Sequence, residues 1–366
     1  MRAEAIVDLS AIKHNVALLK EKSGTNLLAV VKADAYGHGL IPVSKAALEA
    51  GASMLGVALL EEAISLREAG ITAPILAWLV QPGSDFKSAI ENDIDLAAGS
   101  IKALKEIQAA STDKKARVHI ELDTGMTRGG FLHEWDALTP TDLEGIDVVG
   151  IFSHFARADE PSEIQNQEQL SRFNEMVSKL ESFGFPNRIR HLSNSAATLT
   201  NPAASFEMVR AGIAIYGLTP DVAMGSSKDF GIRPAMQLRA ALYLVKDVPA
   251  GTPVGYGASE LTTRDTKLGV ITMGYADGIP RVAKGAGVWI NGERAPIIGR
   301  VSMDQFVVDL GPDSKAKSGD WVVVFGNGSH GEFTADDWGA ASGSINYEIV
   351  TRIGPRVSRI YTAHVY

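Results

Sequence analysis

Residues 27–57 read LLAVVKADAYGHGLIPVSKAALEAGASMLGV, and the order of textures in this stretch decides the fold class. Five apolar residues, Leu27 to Val31, make a run of the length expected for a fully buried strand. A longer amphipathic stretch follows and is closed by Gly51, a residue suited to the left-handed cap of a helix. At Met54 a second short apolar run begins. Strand, helix and strand within about thirty residues is the βαβ unit, whose two strands lie parallel.

Working outward, the same alternation fills the chain from its start to about residue 230. Upstream, Ile12, Val16 and Leu19 share one helical face, and Gly24 follows as a cap. Downstream, Gly70 repeats the punctuation. The apolar runs give eight candidate strands, at 27–31, 54–57, 75–79, 94–97, 117–122, 148–152, 188–192 and 206–209. Eight βα units suit a (β/α)8 barrel of TIM type better than an open doubly wound sheet, which usually has fewer strands. After Pro220 the texture changes to short alternating runs broken by turns, as in AALYLVKDVPAGTPVGYG, TKLGVITMGYADG and DWVVVFGNGSHGEF. That pattern reads as a mostly β domain. The expected organisation is therefore an α/β chain with a barrel over residues 1–230 and a β domain over 231–366, the boundary falling between 219 and 235.

Composition narrows the function. With 366 residues, 45% hydrophobic and 21% charged, the chain is an ordinary globular protein of two domains. Its net charge of -8, with lysine and arginine scattered, excludes the basic footprint that nucleic acid requires. Cysteine is absent, which rules out disulfides, thiolate metal sites and a cysteine nucleophile. The start, MRAEAIVDLSAIKHN, has no apolar segment of signal-peptide length, and no run of 18 apolar residues is present to span a bilayer. A cytoplasmic location, without a membrane partner, is the expectation.

In a barrel of this kind the active site lies at the C-terminal ends of the strands. Polar residues just after the predicted strands are therefore the candidates: Lys32, Arg128, His154, Asn194, Ser195 and Arg210. Lys32 reads either as a rim lysine whose stem packs while its ammonium reaches water, or as a desolvated amine made nucleophilic for a Schiff base. His154 is either a satisfied core histidine or a site residue; no partner at metal-ligand spacing accompanies it, so no metal site is read. Asn194 and Ser195 open a stretch suited either to an ordinary N-cap or to a phosphate. Arg210 serves as an ion-pair partner or meets an aromatic nitrogen or anion. A further segment, Gly326-Asn-Gly-Ser-His-Gly331, matches GxGxxG, but too little chain follows for a second nucleotide-binding half, and it reads as a glycine-rich hairpin.

Taken together, these segments resemble alanine racemase over nearly the whole chain. The family's motifs occur in order: VDLSAIKHN, AVVKADAYGHG, DTGMTRGG, FSHFARADE, HLSNSAA, MVRAGIAIYGL, GYGA, GYADGIPR, GRVSMDQ and INYE. The resemblance implies an N-terminal barrel with a C-terminal β domain, and pyridoxal 5'-phosphate as cofactor, carried by Lys32. It implies that Tyr36, Ser195, Gly212 and Ile213 help hold the phosphate, next to the cofactor-binding candidate Asn194, that His154 packs on the pyridine ring and that Arg210 donates to the ring nitrogen. Tyr256 would be the second acid/base. Arg128, and Met303 through its backbone, would contact the amino-acid substrate, while Tyr275 and Asp304 would shape the approach. It further implies a homodimer with shared active sites, Tyr256 and Met303 serving the partner's barrel, and D-alanine for cell-wall peptidoglycan as the product in demand.

The implied chemistry suits these residue types. Inverting Cα requires one acid/base group on each face, and a lysine with a tyrosine can fill both roles. Arginine can only donate, so Arg210 would leave the ring nitrogen unprotonated and the electron sink weak; a proton taken from Cα then returns to Cα, which favours racemisation over transamination. Two positions depart from the pattern. Glu121 stands where many members carry a lysine modified to a carbamate, and its carboxylate is expected to supply that negative charge and orient Arg128. Pro355 stands where some members place a tyrosine near the phosphate, and no role is assigned to it. The rival expectations are a racemase of broader amino-acid range and a non-catalytic pyridoxal-phosphate carrier. A decarboxylase is disfavoured by Arg210, because a carboxylate would face the ring nitrogen.

Overall fold

The structure, a computed structural model, describes residues 2–186 and 188–363. It divides into two compact units, one of residues 12–35 and 40–232, the other of residues 2–11, 36–39 and 233–363. The expected division near residue 230 runs unbroken along the chain, whereas these units interleave. Strand pairing is the reason. The first strand, β1 (Ala3–Asp8), which the apolar-run reading passed over, pairs with strands from the far end of the chain.

The larger unit is a ring of eight parallel strands: β2 (Asn26–Val30), β3 (Met54–Val57), β4 (Ile75–Ala77), β5 (Ile94–Ala98), β6 (Arg117–Glu121), β7 (Asp147–Phe152), β8 (Ile189–His191) and β9 (Met208–Ala211). Their order is β8-β7-β6-β5-β4-β3-β2-β9, so each strand but the last lies beside its sequence neighbours, and β9 returns to β2. Leu28 pairs with Met54 on one side and with Arg210 on the other. The seam between β8 and β9 is crossed by Arg210 N–H donating to Ser193 C=O at 2.9 Å, which leaves the barrel nearly closed. Leu28, Leu55, Leu76, Leu96, Ile120 and Ile151 are all fully buried, as continuous apolar runs in a parallel sheet with helices outside should be.

Strand ends differ from the sequence expectation where exposure or backbone shape intervenes. The third strand stops at Ala77, and Leu79 is 63% exposed. The last begins at Met208 because Phe206 has a left-handed backbone (φ 45°), so Arg210 sits inside the strand rather than just beyond it. The first helix, Leu9–Ser23, buries Ile12, Val16 and Leu19 completely; Asp8 accepts the N–H groups of Ser10 and Ala11 at its start, and Gly24 (φ 65°) ends it.

The smaller unit is built on the long strand β10 (Met236–Val248), which pairs with β1 on one side and β17 (Trp321–Phe325) on the other and, farther along, with β13 (Thr266–Ile271). A short hairpin of β11 (Pro253–Val254) and β12 (Glu260–Leu261) precedes β13. The sheet is completed by β14 (Gly287–Ile290), β15 (Glu293–Pro296), β16 (Phe306–Asp309) and β18 (Ser358–Thr362), the last running parallel to β1. The glycine-rich segment after β17 is not the expected hairpin. Its ends, Gly326 and Thr334, meet in a parallel bridge, and the Glu332 carboxylate accepts the N–H groups of Gly328 and His330, each at 2.9 Å. Amides that a dinucleotide phosphate would need are thereby engaged within the loop. Among the described residues no helix is long and apolar enough to cross a membrane.

Candidate active site

Lys32 leaves the mouth of β2 on a strained turn. In the segment Lys32–Tyr36, residues Ala33, Asp34, Ala35 and Tyr36 all have left-handed backbones, with φ of 53°, 54°, 52° and 51°. Such a conformation costs a side-chain-bearing residue about 1–2 kcal/mol, so the surroundings must hold it. Glu62 does so by accepting the N–H of Ala33 at 2.6 Å, of Ala58 at 2.9 Å and of Leu59 at 3.1 Å. Asp34 accepts the N–H of Leu40 at 2.7 Å, and Ala35 N–H reaches back to Val31 C=O at 2.8 Å. Lys32 is thus half-buried, its Nζ 5.9 Å from the Trp78 ring centroid. Burial, then the nearby Arg128 charge, holds its pKa below the ordinary lysine range against the opposing field of Glu62. The shift is toward the neutral, nucleophilic form of the amine.

Across the same rim lies Arg210, almost wholly buried. Its Nη2 donates to Ser153 C=O at 2.7 Å and to His154 Nδ1 at 3.2 Å; its Nη1 donates to His191 C=O at 2.6 Å and to His191 Nδ1 at 3.3 Å. Burial pulls its pKa down to about 10, with the Glu121 charge opposing, so it stays cationic at neutral pH. His154 is held neutral, its pKa well below the usual range through burial and then the charges of Arg210, Arg128 and Lys32. A neutral ring is what an Nδ1 acceptor facing an arginine requires. Behind Arg210, His191 Nε2 lies 2.8 Å from His119 Nδ1, and His119 Nε2 lies 3.2 Å from Asp95 Oδ2. Gly150 makes this possible, since a Cβ there would overlap the His119 ring. The sequence reading missed Asp95, His119 and His191. A signal was present: Arg117, His119 and Glu121 alternate on β6, the spacing that turns side chains to one face of a strand.

Two further loops complete the rim. Asp123 Oδ1 accepts the N–H groups of Gly125, Met126 and Thr127 at 2.9, 3.1 and 3.0 Å, which folds the segment that presents Arg128. Glu121, at the end of β6, lies between glycines: a Cβ on Gly129 would come within 3.3 Å of its Oε1, and a Cβ on Gly99 within 3.3 Å of its Oε2. Burial raises the Glu121 pKa while the charges of Arg128 and Arg210 pull it down. No direct salt bridge joins Glu121 to Arg128 among the described residues, so their coupling is through space. On the other side Asn194 caps the helix Ser195–Thr200, its side chain accepting Ala197 N–H at 3.1 Å. Ser195 Oγ accepts Gly212 N–H at 2.8 Å and Ala214 N–H at 3.3 Å, with Ile213 buried between them.

The remaining candidates stand on the smaller unit. Tyr36 lies 6.2 Å, centroid to centroid, from Tyr347, and burial pushes its phenol up to about 12. Tyr256 opens the turn Tyr256–Ala258 after Gly255 (φ 70°) and is 70% exposed. Tyr275 and Met303 are neighbours: Tyr275 N–H donates to Ser302 C=O at 3.1 Å, and Ala276 N–H to Met303 C=O at 3.0 Å. Gly274 permits this approach, because a Cβ would overlap the Met303 carbonyl oxygen. Asp304 accepts from Arg356 Nη2 at 2.6 Å. The structure therefore brings Lys32, Glu121, Arg128, His154, Asn194, Ser195, Arg210, Gly212 and Ile213 into the barrel unit, and Tyr36, Tyr256, Tyr275, Met303 and Asp304 into the other.

A parallel barrel with polar side chains gathered where its strands end, among them a partly desolvated lysine after its first strand and a buried, donor-only arginine in its last, has the architecture of a barrel enzyme. Comparison with known proteins then gives the particular family: Alanine racemase, N-terminal domain, matches residues 7–220, and Alanine racemase, C-terminal domain, matches residues 235–361. The chain belongs to the alanine racemase family. It is 49% identical to the alanine racemase of Frankia casuarinae, over 99% of this chain and 96% of that protein, and 46% identical to that of Streptomyces coelicolor, over 99% and 96%. Among solved structures, alanine racemase from D-cycloserine-producing Streptomyces lavendulae superposes with a TM-score of 0.97 at 44% identity, covering 100% of this chain and 98% of that one. The Bacillus anthracis enzyme with bound L-Ala-P gives a TM-score of 0.91 at 38% identity, covering 99% and 95%.

Proposed function

We propose that this chain is a pyridoxal-phosphate-dependent isomerase that interconverts L-alanine and D-alanine and so furnishes D-alanine for peptidoglycan. The observation that carries the reading is the Lys32 amine, desolvated and set in the field of Arg128, on the same rim as the donor-only Arg210. The residues fit the cofactor. Lys32 offers an amine for covalent attachment, its pKa lowered by burial, Arg210 a donor for the pyridine nitrogen and His154 a neutral ring; the Ser195 hydroxyl, which accepts the amides of Gly212 and Ala214 and follows the Asn194 cap, keeps its own O–H to donate to a phosphate. Tyr36 would supply a further hydroxyl. When bound, pyridoxal phosphate supplies the electron sink that acidifies the Cα–H bond.

The protein's part is proton handling and placement. Lys32 Nζ exchanges the proton of D-alanine, and Tyr256 Oη that of L-alanine, from opposite faces. Arg128 holds the substrate carboxylate, aided by the Met303 backbone, and Tyr275 and Asp304 narrow the approach to small amino acids. Because Tyr256, Tyr275 and Met303 are 70%, 40% and 53% exposed on their own chain, the working unit is read as a homodimer in which they serve the partner's barrel. Glu121 supplies the negative charge that aligns Arg128; Glu121→Gln should raise KM for alanine about tenfold, and an unchanged KM would remove that role. The direct test of the whole reading is incubation of the purified protein with L-alanine and pyridoxal phosphate. Optical rotation should fall to zero as the racemate forms, and constant rotation would sink the proposal.

A further inference from the structure

Arg210 is a buried cation, and among the described residues no carboxylate touches it. The first anion along its hydrogen bonds is Asp95, two imidazoles away. Arginine has no acceptor, so every link in this chain has a direction. Arg210 Nη1 donates to His191 Nδ1, which therefore carries no proton. His191 is fully buried and held neutral by that burial and by the field of Arg210, so its proton is on Nε2. That N–H faces His119 Nδ1 at 2.8 Å, which must accept. His119 then carries its own proton on Nε2 and donates to Asp95 Oδ2 at 3.2 Å. Phe152 stacks on His191 at 4.9 Å with an interplanar angle of 11°, and Arg117 grips both Asp95 oxygens, Nε at 2.7 Å and Nη2 at 3.2 Å.

We infer that Asp95 is a positioning residue for Arg210: through His119 and His191 it fixes one donor direction, Arg210 to His191 to His119 to Asp95, and with it the aim of the guanidinium. The inference rests on the reading of Arg210 as the donor to the cofactor's ring nitrogen. A carboxylate at the end of the chain makes its last hydrogen bond charge-assisted, about twice as strong as a neutral one, and imposes a single pair of tautomers. Without that charge the imidazoles can reverse, and a reversed His191 would turn an N–H against the arginine it now accepts from.

Asp95 also forms an ion pair with Arg117 between β5 and β6, so a purely structural role must be separated from a positioning one. Two full-length variants do this. Asp95→Asn keeps the shape and removes the charge from the chain; Arg117→Met removes the ion pair and leaves the chain intact. In Asp95→Asn, kcat for alanine should fall about tenfold with KM within about threefold, and the pH midpoint of the visible absorbance of bound pyridoxal phosphate should move. In Arg117→Met, kcat should stay within about twofold, with no movement of that midpoint, even where the melting temperature drops as far. Equal effects from the two variants, or an Asp95→Asn enzyme with unaltered kcat and absorbance, would overturn the inference. The direction is read separately from ¹⁵N spectra of the histidine side chains in the wild-type chain without cofactor. Neutral Nε2–H rings at both His119 and His191 are expected; an Nδ1–H or doubly protonated ring at either position would overturn it, whether or not the variants fold. A wild-type protein that fails to racemise alanine would count against the functional reading alone, because these spectra need neither cofactor nor substrate.

Discussion

The lysine and the tyrosine assigned to the two faces of one reaction stand in opposite surroundings. Lys32 is half-buried at the end of a turn in which residues 33–36 are all left-handed, pinned by Glu62 and Asp34 and shadowed by Trp78. Tyr256 is 70% exposed, at a turn whose left-handed positions are Gly255 and Gly257, which adopt that backbone without strain, and the single residue Ala258 (φ 48°). The barrel side chains assigned to the reaction are therefore organised by their own chain: Lys32 follows a turn held by carboxylates, and Arg210 is directed by carbonyls and imidazoles. Tyr256, Tyr275 and Met303, on the other unit, are exposed. Under the proposed homodimer, activity would depend on assembly, whereas capture of the cofactor by Lys32 would not.

The largest effect should come from the organised half. Lys32→Ala is expected to lower racemisation by about 10³-fold or more and to abolish the visible absorbance of bound pyridoxal phosphate; turnover within tenfold of wild type would remove Lys32 from the chemistry. Tyr256→Phe should cost about 10²–10³-fold, with an asymmetry that identifies its face. Cα exchange in deuterated water should survive for D-alanine and vanish for L-alanine, and equal loss for both would reassign Tyr256. Mixing the two inactive variants and allowing subunits to exchange tests the comparison itself. Half of random dimers are mixed and each mixed dimer holds one intact site, so about a quarter of wild-type activity should return. No recovery would mean that both residues act within one chain's site.

A smaller effect is expected on pH dependence. Burial and the Arg128 charge together keep the Lys32 amine neutral at a lower pH than an ordinary lysine. Removing a neighbouring positive charge favours the protonated amine, so Arg128→Met should move the pH at which Lys32 captures pyridoxal phosphate upward, as measured by borohydride trapping across a pH series. A downward shift, or none, would show that burial alone sets the lysine.

How much of this was legible in the sequence follows the same divide. Barrel strands announced themselves because a parallel strand covered on both faces is a continuous apolar run, as at Leu27 to Val31 and Met54 to Val57. β1 did not, since AEAIVD mixes polar and apolar residues, and its pairing with β10 and β18 is a contact across more than two hundred residues. Lys32 and Arg210 were found because a polar side chain closing an apolar run stands out, although the run before Arg210 proved to continue as strand through Ala211. Asp95, His119 and His191 lie inside strands, where a polar residue looks like a fault in the pattern until its buried partner is known. The glycine-rich loop misled for a related reason: Glu332, which occupies its amides, is invisible to a motif written in glycines.

The smallest effect bears most closely on the difference between the two turns. Ala33 holds a left-handed backbone that glycine would adopt freely, and relief of about 1–2 kcal/mol is partly offset by the roughly 0.5–1 kcal/mol that glycine adds to the entropy of the unfolded chain. Ala33→Gly should therefore stabilise the protein by about 1 kcal/mol or less in denaturant melts. Gly255→Ala should do the reverse, because its Cβ would add strain at φ 70° and come within 3.2 Å of Arg300 N. If strain at Lys32 serves to aim the amine, the stabilised Ala33→Gly enzyme should also be slower, by about twofold, since a relaxed turn leaves Nζ less constrained. A variant that is both more stable and equally fast would show that Glu62 and Asp34 alone place the lysine; one destabilised by more than about 1 kcal/mol would show that the turn is not left-handed in solution.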